Sequence, residues 1–530
     1  MRKKNCLLLI NIAVDRTARC AFIVCLTILA VSCNRIQKNK SHKDTPDASI
    51  EKGKQLAITY CQSCHLLPDP SELDAKTWET GVLPGMGPRL GIFYYGSDKY
   101  PSYKNDKDLP ADFYPSKPVL NSVQWQNIID YYTALAPDSM PKQQPRNIKE
   151  GLAGFQVQFP AYTYPSPGIC LTKIDTSNSS HQLFLFDLVK KYTFRYDHQL
   201  ALTDSAKTDA TLTDIDFRNN TMVACNINVI NPNNGKYGKA QYLQTDSRGK
   251  LHLDAKALFD SLARPVQITS CDLNNDKKTD YLVCEFGHLT GSLSWVENKG
   301  NDKFTHHVLR AEPGVLKAYV EDVNHDGLPD IWALFTQGNE AIVLFTNKGN
   351  GKFEQKEVLR FPAIYGSTYF EFADFNKDGL QDIVYTCGDN ADFSPVLKPY
   401  HGVYIYLNEG NNQFKQKYFF PINGAFKAMA RDYDGDGDLD IAAISFFADY
   451  ASPQDEGFVY LKNQGNLVFE PFTIPESKLG RWLTMDVGDL DGDKKIDIVL
   501  GNFSIRPSAV KTAVDWKKGP PFILLKNMTK

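Results

Sequence analysis

Five copies of an aspartate-rich nonapeptide recur at near-constant spacing in this 530-residue chain, and they leave few folds open to it. They begin at Asp272, Asp322, Asp374, Asp432 and Asp489, so the start-to-start spacings are 50, 52, 58 and 57 residues. Each copy puts oxygen-bearing side chains at positions 1, 3, 5 and 9. The sets are Asp272, Asn274, Asp276, Asp280; Asp322, Asn324, Asp326, Asp330; Asp374, Asn376, Asp378, Asp382; Asp432, Asp434, Asp436, Asp440; and Asp489, Asp491, Asp493, Asp497. With the carbonyl at position 7, such a set wraps a hard cation, and a glycine at position 6 permits the sharp turn. No sulfur or imidazole holds a ligand position, so Ca²⁺ is expected over a transition metal. The alternative is a metal-free Asp/Asn turn. Lys277 and Lys494 replace the glycine in the first and last copies, which makes those two the weaker sites. No Glu stands at position 12, and strand-like runs such as Ile383-Val384-Tyr385 follow, so these are not EF-hands.

A second signature follows each of the first four loops: Asn298-Lys-Gly300, Asn347-Lys-Gly349, Asn408-Glu-Gly410 and Asn463-Gln-Gly465, each with a Phe four residues after the Gly. Apolar strands on both sides make it a hairpin turn. Four strands per unit with a period near 50 residues describe propeller blades. The loops and turns resemble the FG-GAP/VCBS repeats of calcium-binding, integrin-α-like propellers, over residues 154–530. Degenerate copies near Ile174-Asp175 and Ile215-Asp216 raise the count to seven blades. The last blade ends at Phe522–Asn527 without its outer strand, and Gly154-Phe155-Gln-Val-Gln-Phe159 supplies one, so the N-terminal strand is expected to close the ring. The first strands alternate polar and small residues, and Lys317, Tyr369, Lys427 and Thr484 share one offset, a speculative ring at the channel mouth.

Upstream stands Cys61-Gln-Ser-Cys64-His65. Two thiols one helical turn apart can bond to porphyrin vinyls while the following imidazole takes the iron. Chance predicts roughly 0.004 such strings in a chain of this composition. A zinc site would want a second Cys/His pair nearby, yet the next Cys is Cys170 and the next His is His181. Ile50, Gly53, Leu56, Ala57, Tyr60, Cys61 and Cys64 recur at helical steps, and Trp125, Ile128, Ile129, Tyr132 and Leu135 make a second amphipathic helix with Ser122 as its N-cap. The pair resembles a class I cytochrome c over residues 48–140, where the first and last helices cross at a Gly against aromatics; Gly53 and Tyr131/Tyr132 match in kind. The resemblance implies a Met as second axial ligand. Met86, in a loop set by Pro84-Gly85 and Gly87-Pro88, is the only Met between His65 and Pro137, although it follows His65 by only 21 residues, closer than is usual in that family.

The N-terminus is basic at Arg2, Lys3 and Lys4, then apolar from Ala21 to Val31, and ends Leu29-Ala-Val-Ser-Cys33. This order reads as an export signal. It resembles a bacterial lipobox, with Ala30 where a larger aliphatic is usual, and Cys33 is the lipidation candidate. Haem attachment to such a motif takes place outside the bacterial cytoplasm, so the two readings agree. A net charge of -3 without a basic stripe excludes a nucleic-acid binder. Cys170, Cys225, Cys271, Cys284 and Cys387 sit in apolar runs and read as buried small side chains, not as disulfides.

The chain thus reads as multidomain: signal peptide 1–33, flexible tether 34–47, a small all-α cytochrome c domain 48–140, linker 141–153, and an all-β seven-bladed β-propeller 154–530. The expected function is a lipid-anchored monohaem c-type cytochrome of the cell envelope, carrying covalent haem c and Ca²⁺. Cys61 and Cys64 attach the haem, and His65 and Met86 hold its iron. The propeller is the docking or recognition module for a redox partner protein, or for a carbohydrate or protein ligand. Two other readings stay open: a periplasmic dehydrogenase whose propeller binds substrate and reduces the haem, and a polymer-binding or adhesion lipoprotein with a sensory haem. No dinucleotide motif or Ser/His/Asp constellation is present, which favours an electron carrier over a complete enzyme; no catalytic residue is assigned.

Overall fold

A computed structural model describes residues 36–93, 106–144, 146–177, 181–218, 221–391, 394–451, 456–505 and 514–529. The expected signal segment 1–33, with Cys33, lies outside the described residues. So do Asn34 and Arg35 of the expected tether.

From Ile169 onward the described residues form seven antiparallel sheets, each starting at an inner strand and stepping outward. The inner strands are Ile169–Asp175, Leu212–Arg218, Pro265–Cys271, Val315–Glu321, Ser367–Ala373, Ala425–Arg431 and Trp482–Gly488, which open blades 1 to 7 in that order. Each touches the inner strand of the next, and the last touches the first. The fold is a seven-bladed β-propeller.

Strand composition follows from position in the blade. Second strands such as Asp330–Phe335 and Asp382–Cys387 are buried at every residue, since adjacent blades cover both faces. They therefore read as unbroken apolar runs. Outer strands such as Phe353–Arg360 face solvent and are rich in Glu and Lys. The core is accordingly divided into seven apolar clusters, each between two neighbouring blades. The cluster joining blades 7 and 1, with Val499 and Leu524 against Ile169 and Leu183, completes the circuit. Phe155–Gln158 pairs antiparallel with Phe522–Asn527 as the outermost strand of blade 7. The ring is thus closed by the N-terminal strand.

The two repeated signatures turn out to be one device. The aspartate at position 9 of each loop (Asp280, Asp330, Asp382, Asp440, Asp497) is at most 1% exposed. One of its oxygens accepts the backbone N–H of the hairpin asparagine at 2.7 or 2.8 Å in all five blades. In four of them the other oxygen accepts the N–H of loop position 2, as from Val323 at 3.1 Å. The hairpin asparagine then donates from Nδ2 to the carbonyl just before the aspartate, as Asn347 does to Pro329 at 3.0 Å. Its Oδ1 accepts from the turn, Gly349 N at 2.9 Å. The 1–2 loop and the 3–4 hairpin of a blade are thereby locked together at one face of the ring.

The linker is a structured strap. Lys149–Glu150 adds a parallel fifth strand to blade 6. Arg146 pairs with Glu456, and Gln143 Nε2 donates to the His401 carbonyl at 2.8 Å. The five propeller cysteines are free thiols; four are buried and Cys170 is half-buried.

Replacing Asp330 by Ala strands two interior N–H groups, each costing about 1–3 kcal/mol. Urea unfolding in chelator should show Asp330→Ala destabilised by about 3 kcal/mol or more, and Asp326→Ala, at exposed position 5, by under about 1 kcal/mol.

Candidate functional site

The helical module is built on two helices, α1 (Asp47–Tyr60) and α2 (Ser122–Leu135). Asn121 is the N-cap of α2, one residue ahead of the expected Ser122. Its side chain accepts from Gln124 N, and the Gln124 side chain returns the bond. Ile50, Gly53, Leu56 and Ala57 are the buried face of α1, as its periodicity predicts. At the crossing, a Cβ on Gly53 would lie 1.8 Å from the Asn127 carbonyl oxygen, so only glycine permits this approach. Trp78 packs on Tyr132, with ring centroids 4.3 Å apart. The described part of the expected tether does not hang free. Asn39 Nδ2 donates to the Thr133 and Ala136 carbonyls at 2.7 Å, which caps the end of α2.

Cys61 ends α1, donating its N–H to the Ala57 carbonyl at 2.8 Å. Both Cys61 and Cys64 are free; Cys61 is half-buried and Cys64 exposed. Burial pushes the Cys61 thiol up to about 11, and the neighbouring Cys64 adds to the shift. His65 Nδ1 lies 2.7 Å from the Leu66 carbonyl. A carbonyl only accepts, so this bond puts the proton on Nδ1 and leaves the Nε2 lone pair free. Met86 is half-buried against the same core. It sits at the end of a helical turn, Leu83–Met86, followed by the turn Gly87–Leu90, and not in the open loop expected from its neighbours. Pro84 and Pro88 each fall in the first positions of a helical turn, where the missing N–H costs nothing. Arg89, which the sequence did not single out, lies over the Phe113 ring at 4.4 Å and close enough to feel the Cys64 thiol.

The module is seated on the propeller face opposite the aspartate loops. Tyr400 Oη donates to the Glu72 carbonyl at 3.0 Å, and Ile364 and Val396 join the helical core. On blade 2, Asn234 Nδ2 donates to Asp106 at 2.8 Å. A groove lined by Phe361, Tyr365, Tyr400, Tyr404, Tyr406 and Phe419 opens beside the seat.

On the other face, Asp432, Asp434 and Asp436 bring one carboxylate oxygen each within 4.8 Å of one another, as do Asp489, Asp491 and Asp493. The second group belongs to a loop that Lys494 was expected to weaken. Lys277 and Lys494 adopt φ of 67° and 70°, the same left-handed conformation as Gly327, Gly379 and Gly437. In the loops of blades 3, 4 and 5, the position 1, 3 and 5 side chains (Asp272/Asn274/Asp276, Asp322/Asn324/Asp326, Asp374/Asn376/Asp378) receive the same backbone N–H bonds. Position 9 differs in burial: its aspartate is at most 1% exposed, whereas positions 1, 3 and 5 are half-buried or exposed. Ammonium groups sit beside the carboxylates in three loops, Lys278 on Asp276, Lys462 on Asp434 and Lys526 on Asp491.

Residues 272–333, 322–385 and 432–500 match the family described as FG-GAP-like repeat, and together these spans take in all five loops. The propeller carries FG-GAP repeats. No curated protein matches the chain in sequence. Among solved structures it is similar to the Dos1 propeller, at 11% identity, covering 68% of this chain and 78% of that one, with a TM-score of 0.40. It is also similar to BBS1N in complex with ARL6DN (9% identity, 72% and 98% covered, TM-score 0.42) and to the N-terminal domain of Nup159 (10%, 73% and 98%, TM-score 0.40).

In the FG-GAP propeller the inner strands have an unpaired edge, and polar side chains bind each to the next. Asp214 accepts from Ile268 N, and Gln267 bonds Ala318 through both N–H and carbonyl. Tyr319 Oη donates to the Phe370 carbonyl, and Glu371 accepts from Ala430 N. Lys427 Nζ donates to the Met485 carbonyl at 2.7 Å, and Asp486 accepts from Ile174 N. Lys173 pairs with Asp214 at 2.9 Å. Of the four residues expected at the channel mouth, Lys427 is thus a structural tie and lies 5.0 Å from the Tyr369 ring centroid, and Thr484 bonds Thr172 at 2.6 Å. Lys317 makes no such tie.

Gly53→Ala should separate α1 from α2 at a cost of about 3 kcal/mol. Near-ultraviolet circular dichroism from Trp78 and Trp125 should collapse while the FG-GAP blades melt at an unchanged temperature.

Proposed function

We propose that the protein is an exported monohaem c-type cytochrome that carries electrons at the bacterial cell envelope, lipid-anchored through Cys33. Its residues 48–140 act as a class I cytochrome c domain, and its calcium-binding propeller acts as the docking module for a redox partner. The observation that carries this reading is the end of α1. There two free thiols one turn apart adjoin an imidazole whose Nδ1 is already engaged by the Leu66 carbonyl. This donor set fits a c-type haem: Cys61 and Cys64 would form the thioethers, His65 Nε2 would take the iron, and Met86 would offer it a thioether sulfur. A bound c-type haem supplies a one-electron couple. Tyr132 is buried near Cys61, and Arg89 places a positive charge near Cys64. The aromatic groove beside the seat supports docking at that face.

The loops would hold Ca²⁺ through Asp272, Asn274, Asp276 and their counterparts, closed by position 9 and the carbonyl at position 7. Their role in this reading is to stabilise the ring, because an ion bound only by the folded state shifts unfolding by mass action.

Expression in a host with haem-attachment machinery tests the haem. The expected product carries a covalent c-type spectrum that ignores CO when reduced, and Met86→Ala binds CO. An exported, folded product without covalent chromophore would overturn the reading.

Calcium is tested by thermal melts across pH. Burial raises Asp440 to about 7 and Asp497 to about 6. An unfolded Asp titrates near 3.9, so between these values the folded state holds more protons than the unfolded one. In chelator, the stability these two groups contribute is therefore complete below about pH 4 and is lost as pH rises to 7. Added Ca²⁺ should raise the midpoint more at pH 7.5 than at pH 4.5, and equal midpoints in Ca²⁺ and chelator at pH 7.5 would remove calcium from the account.

A further inference from the structure

Lys317 stands apart from the other charged groups of the inner strands. Among the described residues its ammonium has no hydrogen bond and no carboxylate partner; it lies 4.7 Å from the Tyr319 ring centroid. Its neighbours are spoken for. Lys173 is paired with Asp214, Lys427 is bound to the Met485 carbonyl, Gln267 is bound to Ala318, and Glu371 is matched by Arg431 at 3.0 Å. Lys317 is enclosed by the blades yet half-buried, not sealed, and the Lys173 side chain keeps 33% of its surface accessible. Side chains surrounded by protein but still touched by solvent line a wet channel.

Three ammonium groups, Lys173, Lys317 and Lys427, act on one another there, against the carboxylates Asp214, Asp216, Asp486 and Glu371. Asp486 is already bonded to Ile174 N, and Asp214 to Ile268 N and Lys173. Asp216 accepts from Ser270 N and Glu371 is paired with Arg431, so Lys317 is the one of the three ammonium groups left without a bonded partner among the described residues. Burial and the two like charges push Lys317 down to about 8, the direction expected of a cation waiting for a counter-ion. Lys317 pairs in register with Leu334, one residue from the end of its sheet's second strand, which puts it near the channel end facing the seated helical module.

We propose that the propeller channel binds a small anion, a carboxylate or phosphate group, with Lys317 as its charge partner and Lys173 and Lys427 flanking it. The site is independent of the haem and calcium readings, since it uses none of their residues.

Calorimetric titration of the full chain with succinate, and separately with phosphate, at fixed ionic strength in chloride, tests this. Saturable one-to-one binding of either anion is expected. Succinate alone would mark a carboxylate site and phosphate alone a phosphate site. Lys317→Met should weaken binding at least tenfold, and Lys478→Met, at the exposed outer face, should leave it unchanged. Removing an uncompensated cation should not impair folding, so Lys317→Met is expected to melt at or above the wild-type temperature in chloride. Only the wild type should gain further with the binding anion. Lys317→Gln provides the same comparison if the Met variant does not fold. Absence of saturable binding by both anions, or equal binding in the folded Lys317 variant, would overturn the proposal.

Discussion

The ring depends on four residues that arrive before it. Phe155–Gln158 forms the outer strand of blade 7, and without it the blade would end on the bare edge of Phe522–Asn527. A propeller has no central core to fall back on: each of its seven apolar clusters is shared by two blades, so an opening at one junction exposes both neighbours. Closing the ring with the N-terminal strand also decides where the helical module goes. The chain must reach blade 7 across blade 6, and it does so as the strand Lys149–Glu150 on Phe472–Thr473, held by Arg146 on Glu456. The module is thereby delivered to one face.

Within each blade the aspartate loop divides its work. Position 9 points inward and serves the fold, satisfying N–H groups of the loop and the hairpin in a place no water reaches. Positions 1, 3 and 5 stay at the surface, where their carboxylates repel one another unless a cation intervenes. The lysines beside Asp276, Asp434 and Asp491 offset part of that repulsion. The same motif is therefore divided between a buried, fold-serving half and a surface half that is free to take a cation, and the two halves are expected to respond differently to substitution.

Much of the architecture was legible because it repeats. The Asp loop, the Asn-x-Gly turn and the displaced final strand are local patterns whose spacing alone indicates blades and closure. Gly53 was legible only through the resemblance, in which the first and last helices cross at a glycine; the periodic face of Ile50, Leu56 and Ala57 showed the helix but not the crossing. What could not be read were features set by contact between distant segments. Pro84 and Pro88 look like loop formers until their places in the first turns of helical segments are known. Asn39 looks like tether until the carbonyls of Thr133 and Ala136 are found beside it. Lys427 and Thr484 look like ligand groups, and only the neighbouring blade shows that their partners are the Met485 carbonyl and Thr172. Arg89 carries no motif at all and is noticed only from its place near Cys64.

The thiol–imidazole cluster and the aspartate loops stand on opposite faces of the ring. Aspartate loops and Asn hairpins lie where first strands end; the seat of the helical module, at Tyr400 and Asn234, lies in loops between second and third strands, where first strands begin. A cation in the loops therefore cannot bridge to the thiol–imidazole site, and its influence must pass through the stability of the blades. Lys317 lies near the channel end on the module's side. A charge bound there would lie on the module's side of the ring, whereas a charge in the loops would act across the full length of the strands. Electrostatic coupling falls with distance and with screening, so a charge at the module's end of the channel would act on the helical module more strongly than one in the aspartate loops.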